Sequence, residues 1–228
     1  LMGPPHDEGD GLVVRVTAEQ WSWRVQYQQQ GEPRTIVSAN ELRLPAGART
    51  ELVLNAHRVI HSFWVPALGG KTDMFPGRET RMTLAPTDPG IYRGQCAEFC
   101  GASHALMAFE TVVMPPDEFD QWLSAEARDA KPPQGALAQA GATLFLEEGC
   151  GACHTIRGTK AIGKTGPDLT HLANRHSLAA GTLPLNAQAI ATWIGHTDTI
   201  KPEVNMPTYD FLSDDDLAAL AAYLGGLE

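Results

Sequence analysis

All four cysteines of this 228-residue chain fall into two tight pairs, Cys96 with Cys100 and Cys150 with Cys153. A secreted disulfide framework spreads its cysteines so that they staple distant segments, and neither pair is placed to do that. Spacings this short suit the attachment of a metal or a prosthetic group. The fold must therefore present two separate ligand loops, and the sequence around each pair predicts a different kind of frame.

The first half reads as strands. Leu12-Val13-Val14-Arg15-Val16 and Trp21-Ser22-Trp23-Arg24-Val25-Gln26-Tyr27 are rich in β-branched and aromatic residues, and the second run alternates. Further runs at 51–54, 60–65, 81–84, 91–92 and 109–114 are separated by turn signals such as Pro45-Ala46-Gly47 and Asp88-Pro89-Gly90. Many short strands with regular turns predict an antiparallel Greek-key sandwich or barrel, closed by a helix over 117–128. The pattern then turns helical at 137–147, 187–194 and 217–224, and Ser213 with Asp216 marks the start of the last helix. The boundary falls in Ala130-Lys131-Pro132-Pro133-Gln134-Gly135. The expected organisation is one domain over 1–129, a linker over 130–135 and a second domain over 136–228.

Composition narrows the partners. Hydrophobic residues make up 43% and charged residues 19%, as in ordinary folded protein. A net charge of −10 speaks against nucleic acid or an anionic lipid surface and for a basic partner. No stretch is long and apolar enough to cross a bilayer, and no secretory leader is recognisable. The opening Leu1-Met2-Gly3-Pro4-Pro5 is expected to reflect processing or shortening of a longer chain.

Cys150-Gly151-Ala152-Cys153-His154 is a C-x-x-C-H run, the attachment signature for a covalent c-type haem. Two thiols add to the two vinyl groups of one porphyrin, and the adjacent histidine reaches the iron. A zinc site would need further ligands, yet this half has no other cysteine, and a redox dithiol would want a βαβ setting. Met206 is the single methionine after residue 114 and suits the sixth iron position; His171, His176 and His196 compete with it. Residues 136–228 resemble a class I cytochrome c through this run, Gly166-Pro167-Asp168-Leu169, Asn205-Met206-Pro207 and a final helix with Tyr223-Leu224. The resemblance implies an all-α fold with one haem on Cys150 and Cys153, and His154 and Met206 as axial ligands.

In the first half, Cys96-Ala97-Glu98-Phe99-Cys100-Gly101-Ala102-Ser103-His104-Ala105-Leu106-Met107 collects thiolate, imidazole and thioether donors, which favour copper over hard cations. A zinc site built on Cys96, Cys100, His57 and His61 competes on spacing but leaves His104 and Met107 without a role. A mononuclear blue-copper site would leave one cysteine unused. The run resembles the CuA domain of cytochrome oxidase subunit II, and most of residues 11–123 share the likeness: Gln20-Trp21-Ser22-Trp23, His61-Ser62-Phe63-Trp64-Val65-Pro66, Lys71-Thr72-Asp73, Pro76-Gly77-Arg78 and Gly90-Ile91-Tyr92. It implies a cupredoxin-like fold and two coppers bridged by Cys96 and Cys100. One copper would add His61 and Met107, the other His104 and the backbone carbonyl of Glu98, with His57 a bystander. Trp21 and Trp23 fall where the family has its electron-input aromatics; strand packing is the competing reading, above all for Trp23.

Together the two resemblances imply a redox relay without a catalytic site of its own. Electrons would pass from an external donor, such as a cytochrome c or another small redox protein, to the haem, then the copper pair, then the catalytic subunit I of a terminal oxidase. The equivalent subunit of a nitric oxide reductase is the alternative. Two anchoring helices would precede the sequence given, with the relay on the periplasmic or outer face of a bacterial cytoplasmic membrane. The two halves carry like charge: 12 Lys+Arg against 17 Asp+Glu in residues 1–131, and 5 against 10 in 132–228. Free domains would therefore meet slowly, whereas a linker reaching at most about 35 Å holds them at a local concentration on the order of millimolar.

Overall fold

The computed structural model describes residues 12–28 and 35–228. Its first half consists of β1 (Leu12–Glu19), β2 (Ser22–Gln28), β3 (Ile36–Ala39), β4 (Glu41–Pro45), β5 (Thr50–Ala56), β6 (His61–Trp64), β7 (Thr72–Met74), β8 (Thr80–Leu84), β9 (Gly90–Cys96), β10 (Ala108–Met114) and the closing helix α1 (Pro116–Glu126). Two five-stranded sheets result, ordered β3-β2-β1-β5-β8 and β4-β10-β9-β6-β7. The alternation read in the sequence is the alternation of burial. Val14, Val16 and Ala18 of β1 and Trp23, Val25 and Tyr27 of β2 point into one core, with Phe63 and Phe109 entering from the other sheet.

The sheets are not purely antiparallel. β1 pairs with β5, and β10 with β4, in parallel. A period of two reports which face a side chain takes and is blind to strand direction, so the run pattern could not reveal these pairings. The chain changes sheet between β3 and β4 at Asn40, whose φ is 60°. There the Asn40 side chain accepts from Trp23 N at 2.8 Å while its own N–H donates to Trp23 O at 2.8 Å. A short polar side chain that bonds locally tolerates that conformation.

The second half holds α2 (Gly135–Glu147), α3 (Cys150–Cys153), a small hairpin of β11 (Ser177–Leu178) and β12 (Leu183–Pro184), α4 (Ala187–Gly195), α5 (Thr197–Ile200) and α6 (Asp214–Leu224). Asn186 caps α4 through its side chain, and Ser213 with Asp216 forms a full capping box on α6. A second apolar core gathers Phe145 of α2, Ile190 and Ile194 of α4, and Leu220, Tyr223 and Leu224 of α6. Among the described residues no helix is long and apolar enough to cross a membrane.

The two halves are joined by much more than the linker. Glu41 accepts from His176 N at 2.9 Å and faces its Nδ1 at 2.8 Å. Arg43 donates to Asn174 O at 2.6 Å, and Arg24 to Lys164 O at 2.7 Å. Ala180, from the turn of the β11–β12 hairpin, is 1% exposed and belongs to the core of the sandwich. The expectation of two domains on a tether therefore understates the contact, because its anchors lie more than a hundred residues apart in sequence.

Candidate copper and haem centres

The first site is assembled where two adjacent strands meet a loop. β6 pairs with β9 so that Phe63 stands opposite Cys96, which brings His61, at the start of β6, beside the end of β9. The chain then leaves the sheet, makes a 3-10 turn at His104–Leu106, and re-enters as β10 just after Met107. Cys96 N donates to Met107 O at 2.9 Å and Ala97 N to Ser62 O at 3.0 Å, so both ends of the loop are pinned to sheet residues.

All six residues expected at this site are brought together. The Sγ atoms of Cys96 and Cys100 lie 3.8 Å apart. His61 Nδ1 is 3.7 Å and the Glu98 carbonyl 3.2 Å from Cys96 Sγ. His104 Nδ1 is 3.5 Å and Met107 Sδ 3.9 Å from Cys100 Sγ. The Glu98 side chain is exposed, so its main chain faces the sulfurs while its carboxylate does not. His61 is fully buried, and its Nε2 has no partner among the described residues. The two thiols titrate as a pair. The hydrogen bond with Cys100 pulls Cys96 down to about 3, while that same bond, burial and the Cys96 charge hold Cys100 up. Removing both protons needs positive charge between the sulfurs, and the soft donors around them fit copper. Sulfur, nitrogen and carbonyl donors thus suit a soft metal, with His61, Cys96 and Cys100 grouped closely enough to share one.

The second site is a cavity of about 660 Å³ whose walls include Cys150, Cys153, His154 and Met206. α3 is a single turn that presents both cysteines, and His154 follows in extended backbone. The His154 Nδ1 sits 2.8 Å from Pro167 O, which fixes the ring and leaves Nε2 free for a metal. Gly166 lies flat against that ring, where an added Cβ would come within 2.6 Å of Cε1. Phe145, Ile190, Leu220 and Leu224 give the cavity an apolar lining suited to a porphyrin. The competing histidines stand elsewhere: His171 Nε2 is 3.0 Å from Arg128 O, His176 is on Glu41, and His196 is exposed at the end of α4. Among the cavity residues are also Gln20, Trp21 and His57 of the first half.

Trp21 links the two sites. Its ring walls the cavity, while its Nε1 donates to Cys100 O at 3.0 Å; Gln20 Nε2 donates to the same carbonyl at 2.9 Å. Trp23 is placed differently. It is 1% exposed, deep in the sandwich, with its ring 5.9 Å from that of Phe63 and 4.9 Å from that of Phe109. Gln20, though part of the Gln20-Trp21-Ser22-Trp23 run, was given no role at either site, and Lys201, whose ammonium approaches the copper-side loop, reads in the sequence as a surface residue.

The sequence matches the family described as cytochrome C oxidase subunit II, periplasmic domain, over residues 26–114, and the cytochrome c family over 138–228. A cytochrome c oxidase subunit 2 of Alkalihalophilus pseudofirmus is 36% identical over 226 residues, covering 99% of this chain and 64% of that relative. One from Bacillus subtilis is 34% identical over 229 residues, covering 96% and 63%. The chain thus spans a little under two thirds of the length of these relatives. Among solved structures, the periplasmic domain of subunit II of cytochrome oxidase from Bradyrhizobium japonicum is 28% identical, with a TM-score of 0.48 over 54% of this chain and 95% of that one. The β half thus matches the periplasmic-domain family of cytochrome C oxidase subunit II and the helical half the cytochrome c family, and both relatives align across nearly the whole of this chain.

Proposed function

We propose that the chain is a two-centre electron relay, with residues 1–129 framing a dinuclear copper site and 136–228 a covalent c-type haem. Electrons would arrive from an external redox protein, pass from the haem side to the copper side, and leave for the catalytic subunit I of a haem-copper oxidase. The longer protein would be membrane-anchored, with the relay on the periplasmic or outer face. A copper pair held by the two thiolates and a haem held by the second half would supply one-electron chemistry with little change of bond length.

The chain's own residues do the rest. Cys96 and Cys100 would bridge the coppers, with His61 and Met107 completing one and His104 and the Glu98 carbonyl the other. Cys150 and Cys153 would hold the porphyrin, with His154 and Met206 on the iron. The sheet fixes His61 and Cys96, and Trp21 and Gln20 hold the Cys100 carbonyl from the haem side. A scaffold of this kind limits movement when charge changes and leaves no open coordination position for other reactions. The single observation that carries the reading is Trp21, one indole that walls the haem cavity and bonds the backbone of a copper-site cysteine.

The test is to load the chain and measure its metals, spectra and kinetics. Two coppers and one haem per chain are expected, with the electron-spin pattern of a delocalised copper pair. One zinc, or a single copper of blue type, overturns the assignment. After rapid reduction of the haem, copper reduction should proceed at a rate independent of protein concentration. A rate proportional to concentration would place the transfer between molecules. Oxygen against nitric oxide consumption by the native complex identifies the final acceptor.

A further inference from the structure

The second domain reaches into the end of the loop that carries His104 and Met107, two of the proposed copper ligands. Ser103 Oγ, fully buried next to His104, donates to Pro202 O at 2.6 Å. Ala108 N, next to Met107, donates to Ala180 O at 2.9 Å. Between them, the carbonyl of Leu106 accepts from Lys201 Nζ at 3.0 Å and faces Thr182 Oγ1 at 3.1 Å, a hydroxyl whose single proton is shared with Ala179 O at 2.8 Å. The same ammonium donates to Ala179 O at 2.7 Å.

Lys201 is the unusual member of this set. It is 1% exposed and pairs with carbonyls only, with no carboxylate within salt-bridge distance among the described residues. Burial of an unpaired ammonium is costly, and here burial pulls its pKa down to about 7. Position explains what the residue does there. Leu106 directly precedes Met107, and Lys201 stands in the same loop as Met206, so one side chain ties the loop of a proposed copper ligand to the loop of a proposed haem ligand. Around it, the Thr182 hydroxyl lies between the same two carbonyls, 3.1 Å from Leu106 O and 2.8 Å from Ala179 O, and Ala180 packs into the sandwich core.

We propose that Lys201 is a positioning residue for the copper centre. Its ammonium holds the Leu106 carbonyl, and through it Met107 and His104, so that the cytochrome domain forms part of the frame of a metal site in the other domain. The inference rests on the copper-ligand assignment above. Groups that orient metal ligands from behind commonly change metal affinity by about 10–100-fold when removed.

The experiment uses the full chain loaded with copper and haem, comparing the parent with Lys201→Met, Lys201→Arg and Thr182→Val. Lys201→Met is expected to alter the copper electron-spin pattern and to speed copper loss to a chelator roughly tenfold or more. The haem absorption band serves as the check that the second domain is folded. Lys201→Arg, which keeps a cationic donor, should restore much of the parent behaviour. Thr182→Val removes the hydroxyl beside the same carbonyl without disturbing a buried charge, and should shift both readouts the same way by less. A folded Lys201→Met protein with the parent's copper pattern and release rate overturns the proposal. If Lys201→Met fails to fold, an unchanged Thr182→Val protein overturns it instead. Failure of the parent itself to bind a copper pair would sink the ligand assignment, a separate result.

Discussion

Replacing Gly141 by alanine sets helix propensity against a helix crossing. Gly141 lies in the middle of α2, where alanine is favoured by about 1 kcal/mol. Its Cα faces α6 so closely that an added Cβ would stand 2.0 Å from Ala219 O, 2.5 Å from Ala219 C and 2.9 Å from Tyr223 Cβ. Two of these are backbone atoms, so no rotamer change relieves the clash, and α6 has to retreat by more than 1 Å to restore ordinary contact at 3.4 Å. Overpacking of this kind costs about 1–3 kcal/mol. The retreat also strains the edge-to-face contact of Phe145 with Tyr223, whose rings are 5.8 Å apart, a contact worth about 0.5–1.5 kcal/mol. Set against the propensity gain, the net loss is about 1–3 kcal/mol, or roughly 5–20 °C in the midpoint of a domain this size. Leu220 and Leu224 line the haem cavity, so the haem band should shift as well. Thermal unfolding followed at that band, beside Ala140→Gly as an exposed propensity control in α2, measures the balance. A Gly141→Ala protein as stable as the parent, or more so, would refute the reasoning.

Three further outcomes are expected. Cys96→Ser or Cys100→Ser should abolish the copper-pair spectrum, while Glu98→Ala should keep both coppers, since only its carbonyl faces the sulfurs; metal analysis with electron-spin spectroscopy separates them. Met206→His should give bis-histidine ligation and a lower haem potential, because a thioether favours the ferrous state; redox titration reads the shift. The Glu41–His176 contact should make domain docking depend on pH. Its hydrogen bond to Glu41 raises His176 above the ordinary 6.5, against burial and Arg43, with Glu110 reinforcing it. That stabilisation is complete below 6.5 and is lost as pH rises through the elevated value. Burial raises Glu41, but the His176 hydrogen bond and Arg43 outweigh it and leave the carboxyl below 4.5, so its share is lost only as pH falls through that lowered value. With a partly exposed imidazole the effect is about 1 kcal/mol. His176→Gln should flatten the alkaline side of a stability–pH curve.

The parts of this molecule that were readable beforehand are those that sequence proximity or short periods encode. The sulfur and nitrogen donors at 96–107 crowd into one stretch and sit together in space, and the pair at 150 and 153 shares one helical turn. The alternating run at 21–27 falls in β2, and the apolar runs at 12–16 and 51–54 fall in β1 and β5. The strands β3, β4 and β7 went unread, because they are short and carry polar residues such as Ser38, Glu41, Arg43 and Asp73. Glu41 there is buried for the sake of His176, a partner 135 positions away. Lys201 reads as a surface lysine, and only the approach of Leu106 and Ala179 makes it a buried one. Trp21 and Trp23 stand two apart in the sequence and both belong to the sandwich core, yet only Trp21, in the turn before β2, also lines the cavity.

The small hairpin turn that puts Ala180 among the residues of the sandwich core also limits how traffic can run. A haem carrier on a swinging arm, collecting its cargo far away and returning to deliver it, would have to withdraw that methyl on every cycle. Each withdrawal would open a hole in the neighbouring core and strip Ala108 N of its acceptor. The cytochrome half is therefore a fixed berth and no shuttle. Under the relay proposed above, a donor would have to come to the cytochrome half where it stands, and Ile162 and Phe211 of that half are 75% and 69% open to solvent.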